Sequence, residues 1–147
     1  RMELDMPRLL KSVRDHEGYR DQVYLDSLSK RTVGVGHLCV EDFWEDDKKY
    51  SEKFLMEILE KDLENAISGA EELLKGCNLP SLANEIVVEM VFQLGKTGVS
   101  KFHNFLAALR DNPPQWLTAS EEMLDSRWAK QTPNRAGGMS EIIASLA

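Results

Sequence analysis

Cysteine is scarce in this chain: Cys39 and Cys77 are the only two among 147 residues, and they lie far apart in sequence. With no export signal ahead of them, they predict two free thiols in a reducing compartment rather than a disulfide. No Cys-x-x-Cys, His-x-x-x-His or paired Cys/His spacing is present, which argues against a zinc site. Long apolar runs are missing as well. Nothing approaches the ~18 residues of a membrane span, and the stretch Ile86–Met90 is already broken by Glu89. The opening residues Arg1-Met2-Glu3-Leu4-Asp5 lack the apolar core and small-residue cleavage site of a signal peptide. The expectation is a soluble protein made in the cytosol, with no membrane span.

Basic excess is also absent. The formal net charge is −7, and residues 41–72 hold twelve Asp/Glu against four Lys, which is −8 and leaves the rest near +1. A general nucleic-acid binder needs a basic face, so nucleic acid is not expected as a partner. The acidic block overlaps a helical pattern and reads as a solvated helix face.

What is present is enough for one domain. The 42% hydrophobic and 29% charged residues fit a chain that buries roughly 68–70% of its unfolded surface without a metal or disulfide staple. Leu9, Leu10 and Val13, with Pro7 near the start and Gly18 past the end, predict a first helix over about 5–17. Residues 19–36 carry Val, Tyr and Thr around Asp-Ser-Leu-Ser-Lys and read as a β-hairpin. Gly34 and Gly36 mark backbone that turns tightly or packs closely. From Ser51 the apolar residues Phe54, Leu55, Ile58, Leu59, Leu63, Ile67, Ala70 and Leu74 recur at three and four. They predict a helix with Ser51 as N-cap and Gly76 as stop, on the order of 36 Å long at ~1.5 Å per residue. Further helices are expected over about 82–94, 101–110, 114–128 and 134–146, with breaks at Gly95 and Gly98, Asn112-Pro113-Pro114 and Thr132-Pro133. The expected organisation is a single α+β, mainly α domain: a β-containing lobe at about 15–50, a connecting helix at about 51–75 and a helical lobe at about 76–147.

Glu17 closes the first helix, Asp26 follows in the hairpin, and Thr32 lies beyond it. Two carboxylates on different elements are what glycoside hydrolysis uses, one as acid on the leaving oxygen and one to activate water or attack the sugar. Spacing alone does not single out this pair among 25 acidic residues. Asp26 has a second reading, as a turn residue that accepts from its own backbone N–H groups. Thr32 likewise reads as a β-branched strand former. Phe102, Phe105, Leu106 and Leu109 form a helical stripe of core type, and Trp44, Trp116 and Trp128 read as packing residues.

The order of the pieces is more specific. Glu17-Gly18, Tyr24-x-Asp26 and Thr32-Val33-Gly34-Val35-Gly36-His37-Leu38 form a first block. Met90-Val91-Phe92-Gln93-Leu94-Gly95-x-Thr97-Gly98-Val99 with Phe102 forms a second, and Ser126-Arg127-Trp128-x-x-Gln131-Thr132-Pro133-Asn134-Arg135-Ala136 a third. Together the three blocks resemble the phage-type lysozymes of glycoside hydrolase family 24, the muramidases of tailed phages. The resemblance implies a lysozyme-like fold and hydrolysis of the β-1,4 bond between N-acetylmuramic acid and N-acetylglucosamine in bacterial peptidoglycan. No cofactor and no metal are implied.

The resemblance also implies roles. Glu17 would be the general acid, Asp26 the carboxylate that activates or replaces the attacking water, and Thr32 the hydroxyl that positions that water. Inversion would then set the carboxylates roughly 6.5–9.5 Å apart. Arg135 matches an arginine expected to pair with Glu17, and Gln131 lies near it in sequence. Leu38, Phe92 and Gln93 match sugar-contacting positions. Phe105 falls where relatives carry a small hydroxyl that contacts glycan, and Glu122 where an asparagine is usual. His37 is expected to be structural, held by Asp62 on the long helix. A monomeric endolysin is implied, resident in the host cytoplasm and needing a holin to reach the wall. The alternatives are a virion-associated tail or baseplate lysozyme domain, and a non-catalytic glycan-binding module of the same fold. A transglycosylase is a further option; it would dispense with water and so with the Asp26–Thr32 pair.

Overall fold

The computed structural model describes all 147 residues, Arg1–Ala147. The elements in chain order are α1 (Met6–Glu17), β1 (Arg20–Leu25), β2 (Arg31–Gly34), β3 (His37–Leu38), α2 (Glu52–Leu73), α3 (Ser81–Ser100), α4 (His103–Arg110), α5 (Trp116–Leu124), α6 (Arg127–Gln131) and α7 (Pro133–Ala144). Seven helices and one three-stranded sheet make the chain α+β and mainly α, as its periodicity predicts. The chain forms two compact units, one of residues 6–65 and one of residues 1–5 with 66–147.

In the first of these units the sheet runs β1-β2-β3, antiparallel throughout. Tyr24 pairs with Thr32, and Thr32 pairs with Leu38. Because side chains alternate faces along a strand, these three project from the same face in a cross-strand row. The two-residue strand β3 goes beyond the hairpin that the sequence pattern predicts. It is too short to show an alternation, and it forms because Gly34 and Gly36, at φ +63° and +66°, turn the chain back on itself. Val33, Trp44 and Leu55 form a buried cluster of this unit, with Phe54, Ile58, Tyr50 and Cys39 packed against them. Both cysteines are free thiols.

His37 ties this unit together. Its Nδ1 lies 2.7 Å from Asp62 Oδ2 on α2, and its Nε2 lies 2.9 Å from Glu41 Oε1. The same Glu41 oxygen accepts from the Trp44 indole N–H at 2.8 Å. The bond to Asp62 is the largest influence on the imidazole; with help from Glu41 and against the penalty of burial, it raises the pKa to about 9. The Glu41 carboxyl is lowered in turn, chiefly by the His37 bond and then by Trp44.

The second unit is helical. Helix α3 is enclosed on nearly every side, with Ala83 to Val91 continuously buried, as befits a central helix. Leu109 of α4, Met123 of α5, and Met139 and Ile143 of α7 complete its core. The extended residues 1–5 are held to it by long-range bonds: Glu3 O accepts from Asn84 Nδ2 at 2.9 Å and Asp5 N donates to Glu85 Oε2 at 2.9 Å.

Two helix limits differ from expectation. Gly95 departs from helical geometry at φ 78°, ψ 160°, but Gly98 lies within the helical turn that follows it. Gly98 therefore does not break the helix. The helix expected over 114–128 is divided, because the Ser126 hydroxyl donates to Met123 O at 2.8 Å and accepts from Ala129 N at 3.1 Å. That side chain caps a new helix, α6, instead of continuing α5. At α2 the Ser51 cap is present, with Phe54 N donating to its Oγ at 3.2 Å.

The His37 cluster gives a signed pH dependence. A histidine whose folded pKa lies above its unfolded value contributes stability that is complete below ~6.5 and lost as pH rises through about 9. Glu41, shifted down, contributes stability present above its unfolded pKa of ~4.3 and lost as pH falls. Thermal melts of wild type should therefore decline from pH 6.5 to pH 9 more steeply than those of Asp62→Asn. Parallel declines in the two proteins would contradict the assignment.

Candidate active site

Helix α1 ends at Glu17 because Gly18 takes φ +72° and its N–H closes on Arg14 O at 2.8 Å, a left-handed C-terminal cap. The half-buried Glu17 carboxylate therefore stands at the edge of the element. Its neighbour across the unit is bare backbone: a Cβ at Gly36 would lie 2.8 Å from Glu17 Oε2 and 2.9 Å from its Cδ. The turn between β2 and β3 thus forms the wall against which the carboxylate rests.

Asp26 opens the loop between β1 and β2. Its Oδ1 accepts from Leu28 N and from Lys30 N, both at 2.8 Å, while its own N–H donates to Lys30 O at 2.9 Å. Ser29 adopts φ 60° to close the turn. The turn-residue reading of Asp26 is therefore correct, and it coexists with a second capability. Both amides engage one carboxylate oxygen, so the group is fixed in orientation while Oδ2 keeps its acceptor capacity. Thr32, only 3% exposed, donates its hydroxyl proton to Lys30 O at 3.0 Å. The same carbonyl thus ties Thr32 to the Asp26 turn, and the Thr32 oxygen is left to act as an acceptor.

Tyr24 stands beside both carboxylates. Burial raises the pKa of its hydroxyl, the negative charge of Glu17 raises it further, Arg20 opposes the rise, and Asp26 adds to it. Leu38, 43% exposed, ends the row of side chains that begins with Tyr24 and Thr32. Sequence reasoning gave Tyr24 and Gly36 no part in chemistry. The signal for Tyr24 was the strand period, which sets it opposite Thr32. For Gly36 it was a second glycine two residues after Gly34.

The other residues singled out from sequence belong to the helical unit. Gln93 Oε1 accepts from the Trp128 indole N–H at 2.8 Å, and Trp128 meets Phe102 edge-on at 6.0 Å. Phe105 is 1% exposed, a core residue as its stripe predicts, and it packs edge-on against Phe102 at 6.3 Å. It also helps line a cavity of about 370 Å3 with Lys101, Glu122 and Asp125. Phe92 is half-buried and Gln131 is exposed at the end of α6. The Arg135 guanidinium is 10% exposed, 3.8 Å from the buried carboxylate of Glu89. Sequence reasoning gave Glu89 no such role. No group of three or more His, Cys, Asp or Glu is placed to hold a metal ion, and no helix is long and apolar enough to cross a membrane.

A helix-end glutamate and a turn-held aspartate thus both act on one tyrosine of a small sheet, and paired carboxylates on different elements are what glycoside hydrolysis uses. The sequence model of the phage lysozyme family matches residues 14–141. This chain belongs to the phage lysozyme family, and with it to the glycoside hydrolases of lysozyme type. Two similar proteins come from Dictyostelium discoideum. Probable T4-type lysozyme 1 is 26% identical over 165 aligned positions, covering 92% of this chain and 95% of the relative. Probable T4-type lysozyme 2 is 28% identical, covering 82% and 84%. The pre-baseplate central spike protein Gp5 of Enterobacteria phage T4 is 28% identical over 92% of this chain, which corresponds to 27% of that larger protein.

The contact between Gly36 and Glu17 is open to test. Gly36→Ala adds a methyl at the carboxylate and strains a positive φ by about 1–2 kcal/mol. If Glu17 reacts, displacing it by ~1 Å would cost on the order of 100-fold in rate on peptidoglycan. Gly34→Ala carries a similar φ but meets Leu55 at 3.4 Å instead, so it should lose stability with much less loss of rate. Equal rate losses in the two variants would show that backbone strain alone is responsible.

Proposed function

We propose that this lysozyme cleaves the β-1,4 bond between N-acetylmuramic acid and N-acetylglucosamine, with Glu17 as general acid and Asp26 as general base. The observation that carries the reading is the pair of carboxylates flanking Tyr24, one at a helix end and one locked in a turn. Glu17 gives its proton to the glycosidic oxygen as the bond to C1 breaks. A water adds to C1 from the opposite face and passes its proton to Asp26. Thr32, its own proton engaged by Lys30 O, accepts a hydrogen bond from that water. The first product is then the inverted, α-configured reducing end. In this reading Leu38 is a substrate-binding residue of the sheet-bearing unit, and Phe92, Gln93, Phe105, Gln131 and Arg135 are substrate-binding residues of the helical unit, Phe105 from the wall of its cavity.

The working setting is a monomeric endolysin that acts in host lysis, held in the host cytoplasm until a holin opens its way to the wall. A second setting is favoured by the match to Gp5, in which nearly the whole of this chain corresponds to about a quarter of a spike protein. There the same reaction would be delivered by a virion.

Purified peptidoglycan treated with wild type and with Glu17→Gln decides the chemistry. Wild type should release muropeptides with hydrated reducing ends, first formed as the α anomer, and Glu17→Gln should be slower by several orders of magnitude. Anhydro ends would mean a transglycosylase. No release by wild type across several peptidoglycan types, with binding retained, would mean a glycan-binding module.

A further inference from the structure

The phenol of Tyr24 is an unused donor at the centre of the site. Its ring is held on one side by the Arg20 guanidinium, 4.8 Å from the ring centroid, in a cation–π stack. The strand register sets it directly opposite Thr32, whose other cross-strand neighbour is Leu38. The stack is its one specific contact, and no protein group hydrogen-bonds the hydroxyl. A half-buried phenol normally finds a partner for its O–H. One held in place by its ring, with its hydroxyl left over, is arranged for something the protein does not itself supply.

We infer that the Tyr24 hydroxyl is a sugar-binding group, donating a hydrogen bond to an oxygen of the N-acetylated hexosamine ring seated over Leu38 between Glu17 and Asp26. The inference rests on the reading of Glu17 and Asp26 given above and extends it to a residue without an assigned role. Leu38 offers the apolar surface that one face of a pyranose covers, and the phenol offers the polar contact that fixes the orientation of the ring. Burial and then the Glu17 charge push the phenol's pKa up against the pull of Arg20, which favours the protonated form that donates. Arg20 holds the ring so that little side-chain freedom is lost on binding.

Tyr24→Phe removes the hydroxyl and keeps the ring on Arg20. Since the hydroxyl bonds no protein group, the melting temperature should stay within about 1 °C of wild type, which separates a binding role from a structural one. With soluble, uncross-linked glycan strands as substrate, KM should rise about five- to tenfold, the value of one hydrogen bond, with kcat within about twofold and the pH profile unmoved. Calorimetric titration of a tetrasaccharide of alternating N-acetylglucosamine and N-acetylmuramic acid into Glu17→Gln, and into Glu17→Gln with Tyr24→Phe, should show the same five- to tenfold loss. Arg20→Met, which frees the ring, should raise KM by a smaller factor.

Unchanged KM and affinity in Tyr24→Phe would overturn the inference. A fall in kcat with a shifted pH limb would also overturn it, because the hydroxyl would then act through the carboxylates. An effect of Arg20→Met without one of Tyr24→Phe would do so too, since the ring alone would be responsible. Full turnover by Glu17→Gln would overturn the acid role of Glu17 and leave the KM comparison of wild type with Tyr24→Phe to decide on Tyr24.

Discussion

Both ring nitrogens of His37 face carboxylates, and much of the sheet-bearing unit depends on that arrangement. A neutral imidazole has one donor, so satisfying Asp62 and Glu41 together requires the doubly protonated ring. The two acids supply the charge that keeps it so. The consequence is mechanical. His37 is the first residue of β3 and follows Gly36, so anchoring it on α2 through Asp62 and on the following loop through Glu41 and Trp44 fixes the turn that bounds Glu17. Leu38, the next residue, is positioned by the same anchor. This charge network thereby holds the turn against which the Glu17 carboxylate rests.

The two carboxylates are presented by different devices. Glu17 stands at an element edge because its helix stops there, and a left-handed glycine makes it stop. Asp26 is exposed by a turn in which its own carboxylate is a structural member. One oxygen closes the loop and the other is left over as an acceptor. Thr32 joins the two through Lys30 O, which accepts from the Thr32 hydroxyl and from the Asp26 amide. A change at Thr32 would therefore disturb the Asp26 turn.

The helical unit shows the opposite economy. Gln93, Trp128, Phe102 and Phe105 are joined in series, and only Gln93 and Phe102 remain half-exposed at its edge. The amide oxygen of Gln93 is engaged by the indole, which leaves its N–H2 as the group available to a ligand. Arg135 lies close to a buried glutamate, Glu89, which no short-range pattern connects to it, since the two residues are far apart in sequence.

Read by itself, the sequence determined the class of fold, the long helix with its Ser51 cap, the hairpin, the core stripe of α4 and the partnership of His37 with Asp62. These follow from periodicity, capping chemistry and three ordered motifs, all of which are local or family-wide signals. Only the tertiary structure decided what the hydrogen bonds and close approaches do. It placed Glu41 as the second carboxylate on His37 and set the Gly36 backbone against Glu17. It divided the helix at Ser126, because a hydroxyl can cap as well as continue a helix. It also left the Tyr24 phenol without a protein partner. Such choices depend on where unrelated segments meet, and a chain read in one dimension carries no record of the distance between them.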